Sequence, residues 1–180
     1  CFLTARALEQ IKNDVAYSDN PVKLIGISAG VSYGALGSTH HSLHDFAVLR
    51  AIHNLIVVAP ADNYETKRAI ELASQTPRPI YIRFGKKAMS PIHEKEVDFE
   101  FGKSIRVREG NDIALIATGE CVLPALEAAE KLLTENAIST RVISMHTIKP
   151  LDKEAIIAAS NACKAIITVE EHSINGGLGE

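Results

Sequence analysis

The sequence predicts an α/β protein of two small domains, each a mostly parallel sheet with crossover helices. Three observations carry this. Short runs of β-branched and aliphatic residues alternate with stretches of helical periodicity, the pattern of strand–helix–strand units. Pro, Gly and Asp punctuate the switches between them. The alternation stops over Gly85–Asp98 and then resumes, so the units fall into two groups.

Arg6–Asp14 reads as a helix on which Ala7, Leu8 and Ile11 share one face. Val22–Ile27, bounded by Pro21 and Gly30, reads as a buried strand. Gly30–Ser38 is a glycine-rich loop. Thr39–Ile52 follows as a helix, with Leu43, Phe46, Leu49 and Arg50 at helical spacing and Thr39 as its N-cap. Leu55–Val58 is a strand closed by Pro60. Asp62 caps a helix to about Ser74, with Glu65 in its first turn. Pro77 and Pro79 introduce the strand Ile80–Arg83. After the basic stretch at Gly85–Asp98, Ile113–Ala117 is a strand and Leu123–Leu133 a helix. Thr140–Ile143 is a strand, Asp152 caps a helix to about Ser160, and Ala165–Val169 is the last strand.

The chain has 180 residues, 46% hydrophobic and 23% charged, with a net charge of -3. That is long enough to bury a real core. The charge favours neither a nucleic-acid nor a membrane-surface partner. No apolar run approaches the roughly 20 residues of a membrane span, and no signal peptide is visible. Cys1, Cys121 and Cys163 are odd in number and widely spaced, which suits a reducing cytoplasm rather than a disulfide framework or a zinc site.

Gly34-Ala35-Leu36-Gly37-Ser38-Thr39-His40-His41 follows a strand and opens the expected helix. Ligands of open α/β sheets bind beyond the carboxyl ends of strands, and paired histidines there can move protons or bond substrate hydroxyls. The alternative is a chain-turning loop with two surface histidines. On a helix, His40 and His44 would be four apart, a metal-ligand spacing. No HExxH-type glutamate accompanies them, and no metal site is expected. Arg83-Phe84-Gly85-Lys86-Lys87 brings basic groups to the same edge, either for a substrate phosphate or as a solvated linker. Glu170-Glu171-His172 follows the last strand, and a structural or interface role is favoured over acid/base work. Cys121 and Cys163 are expected to pack as small apolar groups.

As a set, the motifs resemble thiamine diphosphate-dependent enzymes of the transketolase family. The matching residues are Thr39-His40, then Leu49-Arg50-Ala51-Ile52-His53-Asn54, then Pro60-Ala61-Asp62 and Glu65-Thr66. The opening FLTARALEQIKND and the closing VEEHSINGGLG are similar to the family's segments as well. The resemblance covers essentially the whole chain. It implies a pyrimidine-binding domain over residues 1–84, a linker over 85–103, and a transketolase C-terminal domain over 104–180, both domains incomplete at the chain ends.

The resemblance also implies roles by position. Phe2 would stack on the cofactor's aminopyrimidine. His40 would be catalytic and touch the donor hydroxyl near the reactive carbon. His41 replaces a common glutamine, though a double histidine occurs in the deoxyxylulose phosphate synthase branch, which Asp45 also suits. Lys86 lies near a family arginine that binds substrate phosphate. Ser28 stands where the family has a substrate-contacting histidine, twelve positions before His40. Leu36 replaces an aspartate that contacts the donor hydroxyl, and His53 replaces a proline. Losing polar sugar contacts should alter donor choice, because a site built for a hydroxyl discriminates strongly.

The implied activity is ketol transfer, a two-carbon unit passing from a ketose-type donor to an aldose-type acceptor. The alternatives are a deoxyxylulose phosphate synthase-like or E1 β-like subunit acting on pyruvate or another 2-oxo acid, or a non-catalytic interface module. The cofactors implied are thiamine diphosphate and Mg2+, the metal and diphosphate being held by a domain outside these residues. The family's catalytic glutamate is expected upstream of Phe2. The implied partner is the diphosphate-binding domain or subunit, in a homodimer or heterotetramer, with this chain inactive alone. Neither nucleic acid nor membrane is an expected partner, and the expected location is the cytoplasm.

Overall fold

A computed structural model describes residues 2–180; Cys1 lies outside the described residues. The strands are β1 (Lys23–Gly26), β2 (Ile56–Val58), β3 (Ile80–Arg83), β4 (Ile105–Arg108), β5 (Ile113–Ala117), β6 (Thr140–Ser144), β7 (Thr147–Lys149) and β8 (Ala165–Val169). The helices are α1 (Phe2–Arg6), α2 (Leu8–Gln10), α3 (Asp45–Arg50), α4 (Asn63–Gln75), α5 (Val122–Asn136) and α6 (Lys153–Ala162), with a π-helical stretch at Ile11–Tyr17. They build two four-stranded sheets, ordered β1-β3-β2-β7 and β4-β6-β5-β8. Three strands of each sheet run parallel, and β7 and β4 join antiparallel. The α/β class and mostly parallel sheets agree with the pattern in the sequence.

Local chemistry explains where helices begin. Asp62 accepts the Glu65 N–H at 2.8 Å, and the Glu65 carboxylate accepts the Ala61 N–H at 2.7 Å, so two amides of the α4 entry are satisfied reciprocally. Asp152 caps α6 by accepting the Ala155 N–H at 3.1 Å. Lys149 on β7 donates to the Arg50 and Ile52 carbonyls, closing the carboxyl end of α3.

Four expectations need correction. The helix expected from Thr39 begins only at Asp45, and Thr39 does not cap it. Gly30 and Ser42 exchange backbone hydrogen bonds at 3.2 and 2.8 Å, which commits Ser42 to an extended conformation and delays the helix. His40 and His44 therefore share no helical turn. The first strand is a partly exposed edge rather than a buried strand, with Ile25 40% and Ile27 66% exposed. Two strands went unexpected, β4 and β7. The first helix starts earlier and runs on through the π-helical stretch to Tyr17.

One core cluster spans both sheets, with Phe46, Leu49 and Val57 beside Ile116, Ile143 and Met145. The stretch between Phe84 and Ser104 has no strand or helix, yet Val97, Phe99 and Phe101 pack with Ile56, Val58, Ala69 and Ile80. Among the described residues no helix is long and apolar enough to cross a membrane.

His146, between β6 and β7, is fully buried and stacked on Phe99 at 4.0 Å. Its Nδ1 meets Thr147 Oγ1 at 2.9 Å, and its Nε2 is buried without a hydrogen-bond partner among the described residues. Burial pushes its pKa down from 6.5 to about 4. A depressed folded pKa favours the fold above 6.5, and that contribution is lost as pH falls towards 4. His93 works in the opposite sense. Burial alone would lower its pKa, but Glu65 and Asp62 outweigh burial and the net shift is upward. Its contribution is present in acid and is lost as pH rises through the raised value. His146→Phe, which keeps the stack, should remove about 2 kcal/mol of the stability lost between pH 7 and pH 5. Urea midpoints at the two pH values check this; equal acid losses in both proteins would refute it.

Candidate functional site

The carboxyl ends of β1 and β3 open into a cleft of about 180 Å³. Its lining includes Phe2 and Thr4 of α1, Ile25 and Ile27 at β1, Tyr33 and His40 of the glycine loop, and Tyr81 and Arg83 of β3. Glycine shapes its floor: a Cβ on Gly26 would lie 2.5 Å from the Tyr81 hydroxyl oxygen. Tyr81 therefore reaches past Gly26 and donates to Asp45 at 2.9 Å.

The sequence-predicted residues divide here. Phe2 and His40 come together, edge to face, with ring centroids 5.2 Å apart. Tyr33 contacts His40 from another direction at 5.3 Å, and the Lys86 ammonium lies 4.2 Å from the Tyr33 ring centroid. Thr39 Oγ1 meets His40 Nδ1 at 3.1 Å, which orients the imidazole. His41 is turned to its own loop, its Nε2 meeting the Gly34 carbonyl at 3.3 Å. Ser28 is 3% exposed, with a left-handed φ of 62°, and is not part of the cleft lining. Leu36 is 54% exposed on the loop.

Behind the cleft lies a buried polar cluster. Asp45 is fully buried, with Arg83 Nε 3.5 Å from one carboxylate oxygen and His172 Nε2 4.0 Å from the other. Arg83 also covers the Phe46 ring at 4.3 Å and donates to the Glu171 carbonyl at 2.7 Å. The Arg83 guanidinium is thus a structural cation rather than a free phosphate binder. Burial and the Asp45 carboxylate raise the Tyr81 pKa well above its ordinary value, so the phenol stays protonated.

The Glu170-Glu171-His172 run is structural, as the sequence favoured. Glu170 accepts the Leu178 and Gly179 N–H groups at 2.7 and 3.0 Å, and His172 stacks on Phe46 at 5.3 Å. Arg50 donates to the Gly176 and Gly177 carbonyls, so the glycine turn is tied at both sides. Burial pushes the Cys121 thiol up to about 11, which keeps it unreactive at neutral pH.

The family model described as "Transketolase, pyrimidine binding domain" matches residues 1–91, and "Transketolase, C-terminal domain" matches residues 102–180. The chain belongs to the transketolase family. A subunit of an apulose-4-phosphate transketolase from Phocaeicola vulgatus is 49% identical over 99% of this chain and 57% of its own length. A 1-deoxy-D-xylulose-5-phosphate synthase from Halothermothrix orenii is 39% identical over 97% of this chain and 27% of its own. Among solved structures, a split-gene transketolase described as an inactive beta4 tetramer superposes with a TM-score of 0.89 at 34% identity, over 99% of this chain and 57% of that one. The chain thus spans little more than half the length of the relatives it resembles most among these.

The cleft of this transketolase-family chain suits one part of a thiamine cofactor. Phe2 is 46% exposed, and Ile25 and Ile27 present exposed aliphatic surface beside it. An aromatic face and aliphatic neighbours suit a flat heteroaromatic ring. Among the described residues there is no group of three or more His, Cys, Asp or Glu that could hold a metal ion. Tyr33 and Tyr81 escaped the sequence reading. Tyr33 is an aromatic inside a glycine loop, a visible signal. Tyr81 looked like an ordinary strand residue.

Proposed function

We propose that this chain supplies the pyrimidine-side half of the active site of a transketolase-type enzyme. The observation that carries this is the Phe2–His40–Tyr33–Lys86 constellation at the carboxyl edge of the first sheet. The complete enzyme moves a two-carbon ketol unit from a ketose-type donor to an aldose-type acceptor, a step in carbohydrate metabolism in the cytoplasm. A diphosphate-binding domain or subunit holds the diphosphate and Mg2+, in a dimer or heterotetramer. Support comes from a relative and a solved structure whose names describe a transketolase subunit and a split-gene transketolase.

When bound, thiamine diphosphate supplies a carbon nucleophile and electron sink for cleavage of the donor's carbon–carbon bond. Phe2, with Ile25 and Ile27 beside it, would hold the aminopyrimidine. His40, oriented by Thr39, bonds the donor hydroxyl and moves its proton. Lys86 offers a cation to a substrate phosphate, and His41 supports the loop on which His40 is carried. Ser28, buried, shapes the start of that loop in place of a sugar contact.

A second reading keeps the cofactor and changes the donor. The His40-His41 pair and the similarity to a deoxyxylulose phosphate synthase favour pyruvate in that case. A donor screen on the enzyme assembled with its diphosphate-binding partner separates the two. Turnover of hydroxypyruvate or ketose phosphates, with none of pyruvate, is expected. Pyruvate decarboxylation without ketol transfer would establish the second reading, and no thiamine-dependent turnover with any donor would favour an interface module.

A further inference from the structure

The cleft residues are carried on two loops of the first sheet, and both loops are held by carboxyls of the second. Glu171, beyond the end of β8, reaches across and accepts the Val31 N–H at 3.1 Å. Glu120, beyond the end of β5, packs against Gly85, the residue before Lys86. Two glycines make room for them. A Cβ on Gly30 would stand 2.1 Å from the Glu171 carboxyl carbon, and a Cβ on Gly85 would stand 1.8 Å from Glu120 Oε1. Gly30 also has a φ of +57°, which L side chains rarely adopt. The two carboxyls line one small cavity together with Arg83 and Gly85. Neither carboxyl has a part in the reading of the cleft given above.

We propose that Glu120 and Glu171 are positioning residues, a carboxyl pair from the second sheet that fixes both cleft loops, the Tyr33–His40 loop through the Val31 N–H and the following loop through contact at Gly85. This rests on the reading that the cleft takes the donor. Burial and the Glu171 charge raise the Glu120 pKa, opposed by the Arg83 cation at the end of β3.

The test uses the enzyme assembled with its diphosphate-binding partner and two readouts. These are hydrogen exchange by mass spectrometry, and kcat and KM for hydroxypyruvate at pH 7. Glu171→Ala should speed exchange in the peptide containing Val31 by about tenfold, the scale for losing one hydrogen bond to a charged acceptor. Glu120→Ala should speed exchange in the peptide containing Gly85 and Lys86. Peptides of α5 and α6 should be unchanged, and donor KM should rise more than kcat falls. Glu171→Gln keeps an acceptor for the Val31 N–H and should restore parent-like exchange and KM.

Parent-like exchange at Val31 in Glu171→Ala, or no rescue by Glu171→Gln, would overturn the proposal. Should an alanine variant fail to fold, Gly85→Ala decides. It displaces Glu120 and should reproduce fast exchange at Lys86; parent-like exchange overturns the clamp. Exchange reads the loops whatever the reaction is. An enzyme inactive on every donor would remove the functional reading, and exchange would still decide the clamp.

Discussion

Replacing His40 with alanine in the assembled enzyme lowers kcat by about a hundredfold, the scale for losing a positioned acid–base group. Affinity for thiamine diphosphate is little changed. The split between the two follows from the geometry. His40 touches Phe2 only edge-on at 5.2 Å, so the phenyl face and its aliphatic neighbours survive the substitution. What disappears is an imidazole whose Nδ1 is held by Thr39 at 3.1 Å, leaving Nε2 as the nitrogen to meet a donor hydroxyl. Steady-state kinetics and calorimetric cofactor titration check the two halves separately. Kinetics equal to the parent's would end the assigned role. A lost cofactor site with normal turnover at saturation would make His40 a wall of the pyrimidine pocket instead.

Glu65→Ala is expected to destabilise the fold by about 3–5 kcal/mol, the scale for removing one partner of a buried charged network. Glu65 is fully buried where three segments meet. It accepts the Ala61 N–H ahead of its own helix at 2.7 Å and the Ser144 hydroxyl of β6 at 2.8 Å, and it pairs with His93 Nε2 at 3.0 Å. Alanine strands these donors in a dry interior and leaves a cavity. Glu65→Gln keeps the size and the acceptor oxygen and should cost less. Urea denaturation at pH 7 measures both. A loss in Glu65→Ala no larger than that of a surface change would mean that the network contributes no stability.

Glu65 also shows what a sequence can and cannot disclose. Its place in the first turn behind Asp62 is a local signature, read correctly because capping involves only neighbouring atoms. Its bonds to Ser144 and His93 are long-range and leave no local mark. The strand Ile113–Ala117 was legible for a similar reason, as five apolar residues between turn signals. The run at Val22–Ile27 looked the same but became an exposed edge, because apolar composition does not say what covers a strand. Thr39 was a good cap residue displaced by the Gly30–Ser42 pairing, a contact across the loop. β4 did carry a signal, since Ile105-Arg106-Val107-Arg108 alternates apolar and charged residues. β7, three residues before a proline, is too short to carry one. Within the cleft, the motif resemblance reached Phe2, His40 and Lys86. Glu171 stood out only as part of the Glu170-Glu171-His172 run, and Glu120 not at all, because their contacts depend on two sheets facing each other.

β7 gives the fold a constraint on how its gene can be divided. The strand follows β6 of the second sheet, yet it completes the ladder of the first. A cut between residues 91 and 102, where the two family models leave a gap, would strip β2 of that neighbour and leave an open, aggregation-prone edge. The two matched regions therefore share one sheet, and a chimera that exchanges either half must also supply that strand.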